Sequence, residues 1–464
     1  MRQETPLLLA IPVFLSERLL LRHQNKRFIA RLTNGAARRG ISLGLYSTKA
    51  ITPSRGLRIV FLFVGLAALM FAYSKTLYAS ATAASKVDSN PLNSDPQVRE
   101  AYQHFYILDY DGALSLFEKV EAAHPADPIA TDYVLNTVLF KELYRLDLLD
   151  TTFYAHDGFL TGKHAPANVD PAAAERVNSL TQQAVNLAEE RLKADPKDVD
   201  ALFDRAWARS LSAVYIGLVN RSFVSALHLA LEARHDDERV LALNPNYVDA
   251  KLVLGVHQYV VGSLPVGFKI LAGLAGITGS KAKGIEDLQE AGATGTITSV
   301  EARTALGLFL RREAKYDDAE VVMRSLRDQY PRDFLFRLEV ANLVKDSGNG
   351  PQAIAEYRAL LRQAEQPNYF PSAQLELAWF GLAETLRGQG NYLEAATSYE
   401  RAAGEPTTAR ELKARCELNA GEMYDLLDQR PQALKEYQVV LDETSDSTPA
   451  ESARKYLRSP YTTH

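Results

Sequence analysis

Apolar residues recur at helical spacing along almost all of the chain after residue 95. In Asp109–Pro125, Ala113, Phe117 and Val120 fall on one helix face. The start Asp109-Tyr110-Asp111-Gly112 predicts a helix opening there, and Pro125 predicts its end. The small Ala113 predicts close approach of a paired helix, with Phe117 filling the space one turn later. The same stop recurs at Glu189–Pro196 (EERLKADP) and Glu238–Pro245 (ERVLALNP). Asp-Ala follows soon after each, at Asp200-Ala201 and Asp249-Ala250, and a new apolar helix begins. The pattern is helix, short break, helix, and predicts an all-α protein.

In the C-terminal half the pattern becomes periodic. Ala319 and Ala353 lie 34 residues apart in matching frames, Tyr316-Asp317-Asp318-Ala319-Glu320 and Gly350-Pro351-Gln352-Ala353-Ile354. Trp379, Leu382, Ala383, Leu386, Gly390, Tyr392, Ala395, Tyr399 and Ala402 then fall at intervals of a helix-turn-helix unit. Leu254-Gly255, Leu306-Gly307 and Ala420-Gly421 each place a small residue where a partner helix needs room. A period of 34 with small residues at fixed points resembles the tetratricopeptide repeat family. The body from about residue 95 to 445 is similar to exported bacterial envelope proteins of that family, most of which lack an assigned activity. Leu254-Gly255, His257, Tyr259, Gly262, Leu264-Pro265, Gly276, Gly279, Lys283-Gly284 and Leu288 resemble a variant with a Pro-broken apolar hairpin. Repeat proteins of the mitochondrial outer membrane share a similar layout. The first-helix Trp of the family occurs only at Trp379, and the repeats before residue 300 are degenerate.

The resemblance implies a TPR-like α-solenoid, a right-handed superhelix of antiparallel helix pairs whose first helices line a groove. Positions 9 and 12 of the last four repeats would face that groove: Leu308 and Arg311, Asn342 and Lys345, Glu384 and Arg387, Glu422 and Asp425. Such a set suits an extended peptide. Ordinary solvated helix surface is the plain alternative.

Two stretches break the period. Residues 155–172 read as a loop carrying His156-Asp157, Lys163 and His164. Residues 260–298 are rich in Gly, with an apolar stretch from Val260 to Ile277. Pro265 and Lys269 prevent that stretch from spanning a membrane as one helix. Burial against neighbouring repeats is expected for it, with contact to a membrane surface as the alternative. Gly279-Ser280-Lys281 inverts the order that a phosphate loop requires, and no strand pattern precedes it. Ser280 could still start a helix that attracts an anion. His257 lies in an apolar helix and reads as a core residue. His228 and His235 show no metal-ligand spacing with a carboxylate. Cys416 is the single cysteine of 464 residues, so no intrachain disulfide can form.

Charge divides the chain. Residues 1–58 hold eleven Lys/Arg and two Glu; removing them from totals of 52 and 57 leaves 41 basic and 55 acidic residues. An acidic body with no basic face argues against nucleic-acid binding. Ile59–Tyr73 carries no charge and follows Arg55 and Arg58. It is short for a span of about 20 residues but suits a signal-peptide core. Ala79-Ser80-Ala81 and Ala81-Thr82-Ala83 fit a signal peptidase site, and the basic flank sends the body across the membrane. An uncleaved anchor gives the same topology, whereas an Arg-rich presequence would give a mitochondrial destination.

The expected organisation is therefore a basic leader (1–56), a signal peptide or anchor helix (57–83), a linker (84–96) and degenerate repeats (97–260). A Gly-rich insert (261–298), regular repeats (299–445) and a tail (446–464) follow. No catalytic, cofactor or metal site is read. The expected role is a non-enzymatic scaffold holding protein partners or extended peptides outside the cytoplasm, at the cell envelope. The alternative is a small-molecule or lipid binder, or an enzyme, with its site in the insert.

Overall fold

The computed structural model describes residues 89–154, 166, 168–264, 266, 269–270, 273, 276–444 and 448–463. Among them are seventeen α-helices, three short 3-10 helices and no strand. The helices are α1 Pro96–Phe105, α2 Tyr110–Ala123, α3 Pro128–Arg145, α4 Pro171–Ala194, α5 Val199–Leu218 and α6 Phe223–Leu243. They continue with α7 Lys251–Ser263, α8 Lys281–Thr294, α9 Ser299–Arg312, α10 Tyr316–Gln329, α11 Phe334–Asp346 and α12 Gly350–Ala364. The last five are α13 Leu375–Gly388, α14 Tyr392–Gly404, α15 Arg410–Leu426, α16 Arg430–Glu443 and α17 Thr448–Arg458.

Every helix packs on the next one along the chain. The odd-numbered helices also touch across the stack, α3 on α5, α7 on α9, α11 on α13 and α15 on α17. This is the nearest-neighbour packing of a solenoid, in which each pair buries its second face only against the following pair. From α9 to α16 each helix has 13–17 residues, whereas α3 to α6 run from 18 to 24. The greater length accounts for the irregular repeats before residue 300.

One local device closes the pairs. Leu108, Ala314, Gly348, Gly390 and Asp428 adopt left-handed backbone between first and second helix. In each, the next residue's N–H donates five residues back: Asp109 to His104, Lys315 to Leu310, Asn349 to Val344, Asn391 to Leu386 and Gln429 to Tyr424, at 2.9–3.2 Å. This is the Schellman closure of a helix C-terminus. Five residues after each left-handed residue stands a fully buried alanine: Ala113, Ala319, Ala353, Ala395 and Ala433. The turn sets the reversal, and the alanine lets the returning helix approach.

The glycines expected to break the period instead build a helix pair. A Cβ on Gly284 would lie 2.6 Å from the Gly255 carbonyl oxygen, and one on Gly262 would lie 2.6 Å from the Lys281 nitrogen. Thus α7 and α8 meet backbone to backbone. The Leu-Gly reading holds in the same way: Gly255 faces Leu288, Gly307 faces Met323 and Gly421 faces Tyr437. Ser280 caps α8 by accepting from the Lys283 N–H at 3.4 Å.

Three expectations need correction. The stretch from Val260 to Ile277 is not uniformly buried, since Val260, Val266 and Ile270 are 49%, 73% and 60% exposed. Within it Gly262 serves the α7/α8 contact and Val261 is buried, whereas a Cβ on Gly273 or Gly276 would meet nothing within 4 Å. The expected linker is structured from residue 89, because Asn90 and Asn93 are buried beside the first repeats. The expected tail contains α17, whose Ala450 and Ala453 are fully buried beneath it.

Ile59–Tyr73, the peptidase-like sites and His156, Asp157, Lys163 and His164 lie outside the described residues. Among the described residues no helix is long and apolar enough to cross a membrane.

Candidate peptide-binding face

The first helices α9, α11, α13 and α15 carry the residues expected to face a groove, and polar side chains link them directly. Arg311 of α9 reaches Glu339 (3.1 Å) and Asp346 (2.8 Å) on α11. Arg387 of α13 meets Glu422 of α15 at 2.9 Å, and Asn419 of α15 donates to Glu384 of α13 at 3.2 Å. The expected positions are thus brought together in two sets, on α9 with α11 and on α13 with α15.

They are not solvated there. Arg311 is buried, and Thr151, in the 3-10 helix Thr151–Tyr154, accepts from its guanidinium at 3.2 Å. Burial works against the Arg311 charge, but Glu339 and Asp346 more than offset it and hold the guanidinium above its usual range. Burial pushes the Glu339 carboxyl up against the pull of Arg311. Asn342 is buried and accepts from the Tyr357 hydroxyl at 2.5 Å. Lys345 is half-buried, 3.8 Å from Asp346. Glu384 accepts from the Tyr399 hydroxyl, and Leu308 is half-buried on the core.

Chain segments from both ends cover this face. Arg312 donates to the Tyr154 carbonyl at 2.6 Å, and Gln374 donates to the Tyr144 carbonyl at 3.2 Å and to Asp147. Tyr106 donates to Glu301 at 2.8 Å, and its ring lies 4.9 Å from that of Tyr330. The first repeats thus fold back onto α9–α13.

At the other end the last residues leave α17 in an irregular conformation and turn into the face of α13 and α15. The Tyr461 N–H donates to Asp425 at 2.8 Å, and Arg387 donates to the Tyr461 hydroxyl at 3.0 Å with its guanidinium over the ring. Asp425 also accepts from Arg430 (2.9 Å) and from the Tyr437 hydroxyl (2.8 Å). Arg430 in turn donates to the Tyr456 and Leu457 carbonyls at 2.6 and 3.1 Å. The Tyr456 and Leu457 carbonyls end α17, so beyond that helix the face holds one main-chain group, the Tyr461 N–H, together with the Tyr461 side chain. Sequence reasoning found Arg387, Glu422 and Asp425 but missed Tyr461. No local signal in the sequence marks Tyr461, whose partner Arg387 lies 74 residues away.

The remaining candidates are structural. His257 is buried, with its Nε2 3.0 Å from Arg234, and burial lowers its pKa. Cys416 is fully buried, which pushes its thiol up to about 12. Lys281 pairs with Glu313 at 2.6 Å. Among the described residues no group of three His, Cys, Asp or Glu could hold a metal ion.

Paired helices, a fixed closing turn and first helices joined in two sets define the architecture. The fold is tetratricopeptide-like. No family model and no curated protein matches the chain. Solved structures of similar layout include yeast Tom70, at 13% identity over 78% of this chain and 87% of that one, TM-score 0.32. A tetratricopeptide repeat protein from Parabacteroides merdae shows 16% identity over 71% and 99%, TM-score 0.29. Human IFIT1, as a dimer with m7Gppp-AAAA, shows 13% identity over 78% and 82%, TM-score 0.38. Likeness at this level says nothing of function.

Proposed function

We propose that the chain is a non-enzymatic scaffold that holds extended segments of partner proteins on the α13/α15 face. The carrying observation is that this face already holds such a segment, the chain's own tail, through Arg387 and Asp425. A partner segment would take the place of Tyr461. The reading extends to location: the body works on the extracytoplasmic side of a membrane. The uncharged run Ile59–Tyr73 behind Arg55 and Arg58 supports this.

The scaffold reading is tested with an array of unrelated peptides, probed by the full chain and by a chain ending at Ser459. The shortened chain should retain more peptides, and Arg387→Ala should reverse the gain. Equal retention by all three would refute the reading. A periplasmic reporter enzyme fused after Ser85 tests the location. It should be active outside the cytoplasm, and activity confined to the cytoplasm would refute that part.

A further inference from the structure

A cavity of about 270 Å³ opens where the first repeat meets α9 and α10. Its volume is near the lower end of small-ligand sites and exceeds the space of a few waters. Its walls are mostly polar or aromatic, with Ile297 and Val300 among them. Arg99 and Gln103 come from α1, Arg303 from α9, and Gln329 and Tyr330 from the end of α10. Tyr102 and Tyr106 form one side, their rings stacked 5.6 Å apart.

Two observations single it out. Arg99 is exposed and has no ion pair or side-chain hydrogen bond among the described residues. Arg303 donates to the Ser299 carbonyl (3.3 Å), to Gln329 (2.6 Å) and to Ser325 (3.5 Å), with no carboxylate at ion-pair distance among the described residues. In a body with a large acidic excess, two arginines on one cavity without carboxylate partners are out of keeping with their surroundings. The nearest acid, Glu301, is held by Tyr106.

We infer that this cavity binds a small organic oxyanion, a carboxylate or a phosphate, between Arg99 and Arg303. The guanidinium fork matches the oxygens of either group. The ligand would bridge α1 and α9, so its binding would strengthen the closure of the first repeat onto α9 and α10. The site uses none of the residues that hold the tail and stands whether or not the scaffold reading does.

Unfolding midpoints of the full chain in inorganic phosphate, in citrate and in chloride at matched ionic strength test the proposal, together with titration calorimetry. Phosphate or citrate should raise the midpoint saturably above chloride, and the larger response identifies the headgroup. Arg99→Gln removes an exposed side chain without a partner and should leave the chloride midpoint unchanged. Its affinity for the oxyanion should fall about tenfold. No midpoint shift with either oxyanion, or the same affinity in Arg99→Gln, would overturn the proposal.

Discussion

The Gly255 carbonyl oxygen sits where a Cβ on Gly284 would stand only 2.6 Å away, so α7 and α8 approach as closely as two helices can. Gly284→Ala must push them apart, because the obstacle is backbone and cannot rotate aside. The expected loss is about 1–3 kcal/mol, read from urea unfolding. The same change at Gly404, where a Cβ meets nothing within 4 Å, should cost almost nothing.

The closing turns allow a gain. Ala314 pays the cost of left-handed backbone that Gly348 and Gly390 avoid in the equivalent turns. Ala314→Gly is expected to stabilise the chain by about 0.5 kcal/mol, after allowance for the greater freedom of glycine in the unfolded chain. Ala319→Gly, five residues later in the helix, should instead destabilise by about 1 kcal/mol. Opposite signs at the two positions in thermal unfolding would verify the division of labour between turn and helix.

Arg311 and Arg387 occupy equivalent positions but differ in burial. Arg311→Leu strands the buried Glu339 beside Asp346 and should cost about 3–5 kcal/mol. Arg387 is partly solvated, and losing its pair with Glu422 should cost about 0–1 kcal/mol. Denaturant midpoints of the two variants should fall in that order.

Asp132, Asp204 and Asp237 are at most 1% exposed, and none of their carboxyl oxygens has a hydrogen-bond partner. Burial raises all three well above the usual carboxylate range. The neighbours Asp127 at Asp132, Asp132 at Asp204 and Asp236 at Asp237 add to this. Burial likewise raises Glu301, Asp333 and Glu417 to about 7. A folded-state pKa above the unfolded value gives stability that is complete below about pH 4 and is lost as pH rises through the folded pKa. The melting temperature should therefore fall as pH rises from about 4 through about 7 and beyond. Asp204→Asn should flatten that fall.

The helical pairs were legible because their determinants are local. Ala113, Ala319, Ala353, Ala395 and Ala433 sit a fixed distance after a turn, and Gly307 and Gly421 face one large residue each. What local pattern could not show was the return of the chain on itself. Nothing near Thr151 or Tyr461 announces contact with Arg311 or Arg387, which lie 160 and 74 residues away. The same limit applied to the insert, where counting glycines suggested a break. Gly262, Gly279 and Gly284 instead meet residues of the opposing segment, which lie far from them along the chain. Tyr102 and Arg303 were passed over for the same reason, since their cavity exists only after the first repeat closes on α9.

The most direct measurement takes the chain ending at Ser459 and adds, as a separate peptide, residues 459–464 labelled for NMR. Saturable one-to-one binding is expected, lost when the peptide carries Tyr461→Ala and when the chain carries Arg387→Ala. Absence of binding, or binding indifferent to both substitutions, would contradict a face built to hold extended polypeptide.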